Sequence, residues 1–593
     1  MYVRKRALER LAREKVLYER HPGGDISVCF VYPNIYRLGM ANLGFQSVFH
    51  IFETDSLVAA ERAFLPDADE RVAMRKRGER LVSLEQGRAL SEFDILAFSI
   101  SFETDYLNVI AILRMAGIPV RRADRADGNW PLIIAGGSAV FLNPEPIADF
   151  IDLFLIGEGE QMIPEFLARY HQTRTKHAAN INERPARLRE LAGVEGAYLP
   201  DYFTPIYDDR GHLSSVEYSG PGKPTVSRRL IRDLNQFSTS SLILTEESVF
   251  GDMYLVEASR GCQWGCRFCA AGFMYRPIRY RSPEHLIEEA RRGLTERSVI
   301  GLVGAEMASV PGVAEVAESI ADAGGRLSPS SLKADCISPQ LAAALARNGN
   351  HSVTVAPEAG SERMRKVINK NLTEAEILDA AELMVGGGVE NLKLYFMVGL
   401  PEERDHDVRE IAHLTGKILA RARAQKKSVG HVTVSLNPFV PKPWTPFQWD
   451  PMEDPRATKS KIAMLRGELS KLGSVELDAE SPREAYFQTL VSRGDRRVGA
   501  ILERLDAAQC EGAGEIWHEL KRIARENGAS GLLDLADPDS FVTRHYADDE
   551  ILPWDFIDHH IYKWFLLSER KKAHYEHQTP PCDVTRCVVC GAC

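Results

Sequence analysis

The chain has 593 residues, of which 44% are hydrophobic, and a formal net charge of -10 at pH 7. This length exceeds what one hydrophobic core usually organises, so several globular domains are predicted. An acidic chain has no general attraction to phosphate backbones, and no window of about 18 uncharged apolar residues occurs in it. We therefore expect a soluble, cytoplasmic protein without a membrane span and without a nucleic-acid partner.

The first third of the chain has the pattern of an α/β domain. Residues 1–24 are predicted to form a charged helix, and residues 25–190 alternate short apolar runs such as ISVCFVYP and FDILAFSIS with helical stretches. Such runs are typical of a doubly wound, Rossmann-like parallel sheet that is buried on both faces. Ligands of these sheets bind beyond the carboxyl ends of the strands, so we expect the binding loops there.

The remainder is predicted to contain a linker, a barrel and a helical region. Residues 191–246 have the pattern of a linker with a hairpin. Within residues 247–480, six strand patterns are each followed by a helical stretch, with SLKADCIS as the third, which predicts a partial (β/α)6 barrel of the TIM type. Residues 481–593 are predicted to be mainly helical and end in a cysteine-rich segment.

Seven of the ten cysteines fall in two short clusters. In a reducing cytoplasm, this spacing indicates metal binding rather than disulfides. The first cluster is Cys262, Cys266 and Cys269, in the loop after the first barrel strand. Three thiolates leave one iron of a 4Fe-4S cluster open to a small molecule, whereas a zinc ion would need a distant fourth ligand.

The C-x3-C-x2-C motif, with the aromatic Phe268 before its last cysteine, resembles the radical S-adenosylmethionine (SAM) enzymes. The resemblance implies that the open iron binds SAM and that one-electron reduction cleaves it to methionine and a 5'-deoxyadenosyl radical. It also implies an electron donor such as flavodoxin or ferredoxin.

Further barrel segments resemble the SAM pocket of that family. GAE at residues 304–306 lies where Gly-Gly-Glu is usual, although Ala305 departs from the pattern, and PEAGSER at 357–363 resembles a segment that contacts ribose and the methionine carboxylate. For each position, a purely structural role is the alternative. The implied SAM-binding residues are Phe268, Gly304, Glu306, Lys333, Glu358, Gly360, Ser361 and Met397.

The order of domains resembles the subgroup of these enzymes that has a cobalamin-binding domain before the barrel. The implied cobalamin pocket contains Tyr32, Asn34, Gly39, Gly44, Ser99, Gly136, Gly137 and Gly157. The D-x-H-x-x-G signature is missing from residues 25–190, and Asp558-His559-His560 is its nearest approximation. Cobalamin would therefore have no protein histidine as lower ligand, and a domain that binds nothing or another substrate is the alternative.

The second cysteine cluster is Cys582, Cys587, Cys590 and Cys593, with C-x4-C-x2-C-x2-C spacing. Four thiolates could saturate a second 4Fe-4S cluster or one zinc ion, and a segment that binds no metal is the third alternative. A saturated cluster favours electron relay or a structural role. A relay would require this segment to fold back near the barrel mouth.

The resemblance therefore implies a radical SAM enzyme that acts on an unactivated carbon. If cobalamin is bound, it implies methyl transfer from methylcobalamin, and ring closure or bond rearrangement is the alternative. One alternative is methylthiolation of tRNA or a ribosomal protein, but those enzymes have three further cysteines in an N-terminal domain, where this chain has Cys29 alone. A second alternative is a non-catalytic iron-sulfur electron carrier. Tyr275 and Cys336 are candidates for a proton or hydrogen donor by position alone, so no catalytic residue is assigned.

Overall fold

The computed structural model describes residues 2–21, 23–126, 129–176, 184–347, 352–425, 431–530 and 536–593. The elements of its amino-terminal part are α1 (Tyr2–Arg13), β1 (Lys15–Val16), β2 (Ile26–Tyr32), α2 (Tyr36–Gly39), α3 (Leu43–Thr54), β3 (Val58–Phe64), α4 (Ala68–Arg77), β4 (Ile95–Ser99), α5 (Tyr106–Ala116), β5 (Leu132–Gly136), α6 (Ser138–Leu142), β6 (Leu153–Leu155), α7 (Gly159–Lys176), α8 (Arg184–Leu191) and β7 (Ala197–Tyr198).

These strands form one six-stranded sheet in the order β3-β2-β4-β5-β6-β7, parallel except for β7. The five parallel strands have the flavodoxin-like order. The topological switch point, where the chain begins to add strands on the other side of β2, lies between β2 and β4. The central strands are buried on both faces, which explains their nearly continuous apolar sequences. The doubly wound sheet is therefore confirmed, and its ligand edge lies after β2, β4, β5 and β6.

The connecting segment contains β8 (Phe203–Tyr207), β9 (Leu213–Tyr218), β10 (Val226–Ser227) and β11 (Ile243–Leu244). Strands β8 and β9 form an antiparallel hairpin. Strand β11 pairs with β1, so this segment connects the beginning of the chain to the entrance of the next domain.

The barrel region contains β12 (Met253–Glu257), β13 (Ser259–Arg260), α9 (Ala271–Met274), β14 (Arg279–Tyr280), α10 (Pro283–Leu294), β15 (Val299–Val303), α11 (Val313–Asp322), β16 (Arg326–Pro329), α12 (Pro339–Arg347), β17 (Ser352–Glu358), α13 (Glu362–Val367), α14 (Glu374–Gly386), β18 (Asn391–Val398), α15 (Asp405–Gln425), β19 (His431–Pro438), α16 (Pro455–Leu469) and β20 (Val475–Ala479). Strands β12-β15-β16 and β17-β18-β19-β20 form two parallel sheets, which a bridge between Leu332 and Val355 connects.

The partial barrel is confirmed, with two differences in its strands. The third strand is Arg326–Pro329, upstream of SLKADCIS, because Leu332 makes only an isolated bridge and Ala334–Cys336 turn into a 3-10 helix. A seventh strand, β20, pairs with β19 at the edge. Its alternate residues are exposed, so it lacks the apolar run that marks the other strands.

The carboxyl-terminal part contains α17 (Pro482–Arg493), α18 (Val498–Ala507), α19 (Ala513–Ser530), α20 (Pro538–Val542), β21 (Ile557–Asp558) and α21 (Lys563–His574). Ile501 and Leu502 of α18 share one hydrophobic core with Ile110 and Leu113 of α5. These helices therefore cover one face of the sheet, while α3 and α7 pack in a separate core on the other. No helix among the described residues is long and apolar enough to cross a membrane.

Candidate active site

A cavity of about 430 Å³ lies where the carboxyl ends of the sheet strands face the barrel. On the sheet side it is lined by Ser99, Ser101, Gly136, Gly137, Ser138 and Gly157, and on the barrel side by Glu257, Ser259, Arg260, Gly261, Tyr275 and Gly304. Both walls are built from strand ends, which is where ligands bind in doubly wound sheets and in TIM-type barrels. The two predicted binding edges therefore share one chamber.

Two glycines on the sheet wall cannot be replaced without moving the backbone. Gly137 has a φ of 110°, and a Cβ there would lie 2.4 Å from the carbonyl oxygen of Ile100. Gly157 has a φ of 141°, and a Cβ there would lie 2.6 Å from the backbone N of Arg229. Close packing of the backbone and the positive φ therefore require glycine at both positions, and the backbone forms that part of the wall.

The structure brings together five of the eight residues predicted for the cobalamin-like pocket. Those on the cavity wall are Gly44, Ser99, Gly136, Gly137 and Gly157. Sequence reasoning did not select Ser101, Ser138, Glu158 or Glu160, although the loops that contain them were expected to bind a ligand. These four residues could have been selected by their position, because they lie in the loops that follow β4, β5 and β6.

The other three residues do not line the cavity themselves, although the Tyr32 hydroxyl interacts with Ser101 on its wall. The ring of Tyr32 is buried against Phe45. A Cβ on Gly39 would lie 2.6 Å from the Phe64 ring, so this glycine permits close packing. The side chain of Asn34 donates a hydrogen bond of 2.7 Å to Asp105. Its side-chain oxygen accepts a hydrogen bond from the backbone N of Ile35.

Buried ion pairs join the two walls of the cavity. Arg279 of β14 donates two hydrogen bonds of 2.8 Å to Glu158 of the sheet domain. Arg260 pairs with Glu257 at 2.8 Å and also with Glu160. Although burial alone would raise the pKa of Glu257, Arg260 and Arg281 hold it below its usual range. The carboxylate of Glu257 is therefore ionised and acts as a hydrogen-bond acceptor.

The three-cysteine loop follows β13 at the mouth of the barrel. Burial raises the pKa of Cys262 to about 12 and that of Cys266 to about 11, while the nearby Lys370 and Lys333 ammonium groups lower the pKa of Cys266. A dry loop with three thiols and two cations beside it suits an anionic iron-sulfur cluster. In the described ranges, no three His, Cys, Asp or Glu side chains converge on one metal ion. A cluster does not require such convergence, since each thiolate binds a different iron.

Two of the predicted SAM residues, Lys333 and Glu358, lie near this loop. The Nζ of Lys333 is 3.8 Å from the ring centroid of Trp264, and it pairs with Asp335. Glu358, with a left-handed φ of 66°, accepts a 3.2 Å hydrogen bond from Lys370. Burial raises the pKa of Glu358, which Lys370 partly offsets. These groups form a charged patch beside the cysteines, and Gly304 lies on the cavity wall.

The other predicted SAM residues have structural partners of their own. Glu306 accepts hydrogen bonds from the backbone N atoms of Ala308 and Lys333, which stabilises the turn after β15. Ser361 caps α13, and a Cβ on Gly360 would lie 2.1 Å from the backbone N of Ile411. Phe268 and Met397 are half-buried against one small hydrophobic cluster. Their roles toward SAM remain predictions.

The carboxyl-terminal cysteine segment lies on the three-cysteine loop. The backbone N of Cys582 donates a 2.7 Å hydrogen bond to the carbonyl of Gln263, the residue after Cys262. Arg267, between Cys266 and Cys269, pairs with Glu569 of α21 at 3.2 Å and donates to the carbonyl of His577 at 2.7 Å. The carboxyl-terminal segment therefore folds back onto the barrel mouth.

The remaining candidates lie in different environments. Tyr275 lines the cavity, and burial raises its pKa to about 12. Cys336 accepts a hydrogen bond from Ser309 instead. His559 is fully buried, and its Nε2 lies 2.8 Å from the carbonyl oxygen of Phe141. It is not part of the cavity wall, so the Asp-His-His sequence does not supply a histidine to the chamber.

Comparisons with known proteins agree with this geometry. The family described as "Radical SAM proteins, N-terminal" matches residues 44–200, and the "Radical SAM superfamily" matches residues 256–415. "Uncharacterized protein MJ0966" of Methanocaldococcus jannaschii is 29% identical over 481 residues, which are 80% of this chain and 90% of that protein.

Two solved structures are also similar. The radical SAM methyltransferase TsrM from Kitasatospora setae, with cobalamin and a [4Fe-4S] cluster bound, matches with a TM-score of 0.50 and 13% identity, over 81% of this chain and 99% of that chain. The cobalamin-dependent SAM radical enzyme OxsB has a TM-score of 0.43 and 13% identity, over 93% and 79% of the two chains. The likeness to TsrM shows a shared fold. With its two family matches and its cysteine loop at the barrel mouth, the chain is an enzyme of the radical SAM superfamily.

Proposed function

We propose that this enzyme binds a 4Fe-4S cluster on Cys262, Cys266 and Cys269, binds SAM beside it, and binds cobalamin over the sheet, to transfer a methyl group to an unactivated carbon. The observation that carries the proposal is the single cavity between the two sets of strand ends. A radical formed on the barrel side and a methyl donor held on the sheet side would reach the same substrate there. Holding reactants together in this way is the main contribution of a protein to cofactor chemistry.

The cluster and cobalamin each have a matching group of residues. When bound, the cluster supplies the electron that cleaves SAM to methionine and a 5'-deoxyadenosyl radical, and methylcobalamin supplies the methyl group. Lys333 and Lys370 would offset the negative charge of the cluster. The backbone at Gly136, Gly137 and Gly157 lines the cavity and would form the wall that faces the corrin.

The cavity wall supports cobalamin bound without a protein ligand to its lower face. No histidine lies among the residues that line the described cavity. The lower side would instead meet serine hydroxyls and backbone at Ser99, Ser101 and Ser138.

Methylthiolation is less well supported. Those enzymes require a further cluster in the N-terminal domain, but Cys29 is fully buried in the sheet core. Burial raises the pKa of the Cys29 thiol well above its usual range, as expected for a packing residue. Residues 25–190 contain no cysteine other than Cys29.

The proposal is tested by counting iron, sulfide, zinc and cobalt in protein reconstituted anaerobically, with and without hydroxocobalamin. We expect one cobalt per chain, and about four irons lost in a variant with Cys262, Cys266 and Cys269 all changed to Ala. The matched control is Cys510→Ala, which should keep all metals. Protein that takes up iron but no cobalt would remove cobalamin from the proposal.

The lower ligand is tested on the same protein by electron paramagnetic resonance of the reduced, Co(II) state. We expect a spectrum without nitrogen splitting, and an identical spectrum for His559→Phe. Nitrogen splitting that disappears in His559→Phe would show that this histidine reaches the cobalt and would contradict the proposed binding mode.

A further inference from the structure

We propose that Cys582, Cys587, Cys590 and Cys593 bind a second 4Fe-4S cluster, and that this cluster passes single electrons to the one on the three-cysteine loop. The inference rests on the proposed function of the first cluster. It goes further by giving the carboxyl-terminal segment a ligand and a direction of electron flow.

The four cysteines share one short, folded segment. Cys590 is buried, and its carbonyl accepts a 2.9 Å hydrogen bond from the backbone N of Tyr562. Cys587 and Cys582 are half-buried and Cys593 is exposed. Four thiols in one short segment, one of them buried and one exposed, can hold a cluster that has a protein side and a solvent side. Four thiolates are the usual ligand set for a cluster with no open iron.

On its protein side, this segment contacts the three-cysteine loop that would hold the first cluster. The hydrogen bond from Cys582 to Gln263 is 2.7 Å long, and Gln263 is covalently next to Cys262. The path between a ligand of one cluster and a ligand of the other therefore crosses one hydrogen bond and one peptide unit. This short connection favours a redox role, because a structural zinc site would not need to contact that loop.

Buried polar contacts hold the segment in this position. Thr579 donates its backbone N to the Asn369 side chain at 2.7 Å, and Asn369 in turn donates to the carbonyl of Gly265, inside the loop, at 3.0 Å. The side chain of Thr579 also donates to Glu569, the partner of Arg267. Arg267 and Asn369 are fully buried, so the docking is part of the folded core.

The opposite side of the segment is open to solvent. Val588 and Val589 are 72% and 53% exposed, and Val584 is 43% exposed. A reduced donor protein can therefore reach this side while the other faces the first cluster. One-electron transfer from a flavodoxin hydroquinone would reduce the second cluster from the 2+ to the 1+ state and oxidise the flavin to its semiquinone. The second cluster then returns to 2+ as the first is reduced, and no bond is formed or broken.

The test compares Cys587→Ser and Cys593→Ser with the control Cys510→Ser, all reconstituted anaerobically as full chains. We expect about eight irons per chain in the wild type and the control, and about four in each variant, with one of two electron paramagnetic resonance signals lost. Cleavage of SAM with reduced flavodoxin should fall at least about tenfold in the variants. Cleavage with dithionite, a small reductant that reaches the first cluster directly, should be unchanged.

Zinc in place of the second set of irons would overturn the proposal. So would variants that lose four irons but keep flavodoxin-driven cleavage at the wild-type rate, since the second cluster would then not be on the electron path. Failure of the proposed function gives a different result, because the wild type itself would then fail to cleave SAM with either reductant. The four irons that remain in the variants show that the first site is folded.

Discussion

Arg279 and Glu158 form a bidentate ion pair, with both N···O distances 2.8 Å, between the barrel region and the sheet domain. Both side chains are buried, and Glu158 lines the cavity. The same carboxylate accepts a 2.8 Å hydrogen bond from the backbone N of Ile231 in the connecting segment. One carboxylate therefore fixes three parts of the chain around the proposed chamber.

Replacing Glu158 should destabilise the protein strongly. Glu158→Gln removes the charge that balances Arg279, and a buried charge left without its partner costs about 3–5 kcal/mol. We expect the midpoint of urea unfolding to fall accordingly. The control is Asp322→Asn, since the pair that Asp322 makes with Arg347 is exposed and should contribute less than about 1 kcal/mol. Equal effects in the two variants would contradict this account.

Asp105 should make the stability depend on pH. Burial raises its pKa to about 7, and its Oδ2 has no hydrogen-bond partner in the part of the chain that the structure describes. Because the folded pKa lies above the unfolded one, the stability it contributes is complete below about pH 4 and is lost as the pH rises to about 7. The free energy of unfolding of Asp105→Asn should therefore rise relative to that of the wild type across this range, and exceed it by a few kcal/mol at about pH 8.

Urea unfolding of both proteins at several pH values between about 4 and 8 measures this difference. Parallel pH profiles would show that Asp105 is ionised with its ordinary pKa. Asp322→Asn, at an exposed carboxylate, should follow the wild type.

Filling the cavity should block cobalamin without unfolding the protein. Ser138 is half-buried on the sheet wall. Ser138→Trp would occupy space beside Gly137, so we expect the dissociation constant for hydroxocobalamin to rise at least about tenfold, which equals about 1.4 kcal/mol. Ser215→Trp, on the exposed face of the hairpin, is the control. Unchanged binding in Ser138→Trp, followed by absorbance, would place cobalamin elsewhere.

Removing the guanidinium of Arg267 should release the carboxyl-terminal segment. The guanidinium bonds to Glu569 and to the carbonyls of Val367 and His577, and Arg267→Met removes all three contacts. Glu569 would keep its ion pair with Lys572, but its link to the three-cysteine loop would be lost. We expect amide hydrogen exchange in residues 563–593 to accelerate at least about tenfold. Arg292→Met, at a side chain that is 59% exposed, should leave that exchange unchanged. Protection of this segment in Arg267→Met would show that other contacts hold it.

The sequence predicted the features that depend on local patterns. Apolar runs identified the sheet and the barrel, and the spacing of Cys262, Cys266 and Cys269 identified the loop at its mouth. The edge strand β20 and the position of the third strand were not predicted, because neither has a continuous apolar run. Tyr32 and Gly39 were selected from the family resemblance, whereas the structure packs them against Phe45 and Phe64.

The contacts between distant segments could not be predicted from the sequence pattern. Arg267 and Glu569 are separated by 302 positions, and Glu158 and Arg279 by 121. Hydrophobic periodicity predicts elements and their buried faces, but it does not predict which charged side chains meet across a domain boundary. These pairs determine that the two strand edges enclose one chamber and that the carboxyl-terminal cysteines contact the first loop.

SAM cleavage by anaerobically reconstituted, reduced protein would show whether the loop of Cys262, Cys266 and Cys269 holds a working radical SAM centre. We expect the wild type to form 5'-deoxyadenosine and methionine in equal amounts when dithionite is added. The variant with Cys262, Cys266 and Cys269 changed to Ala should form neither, while Cys510→Ala should match the wild type. Equal product from the triple variant, or no product from a wild type with its irons in place, would contradict the account.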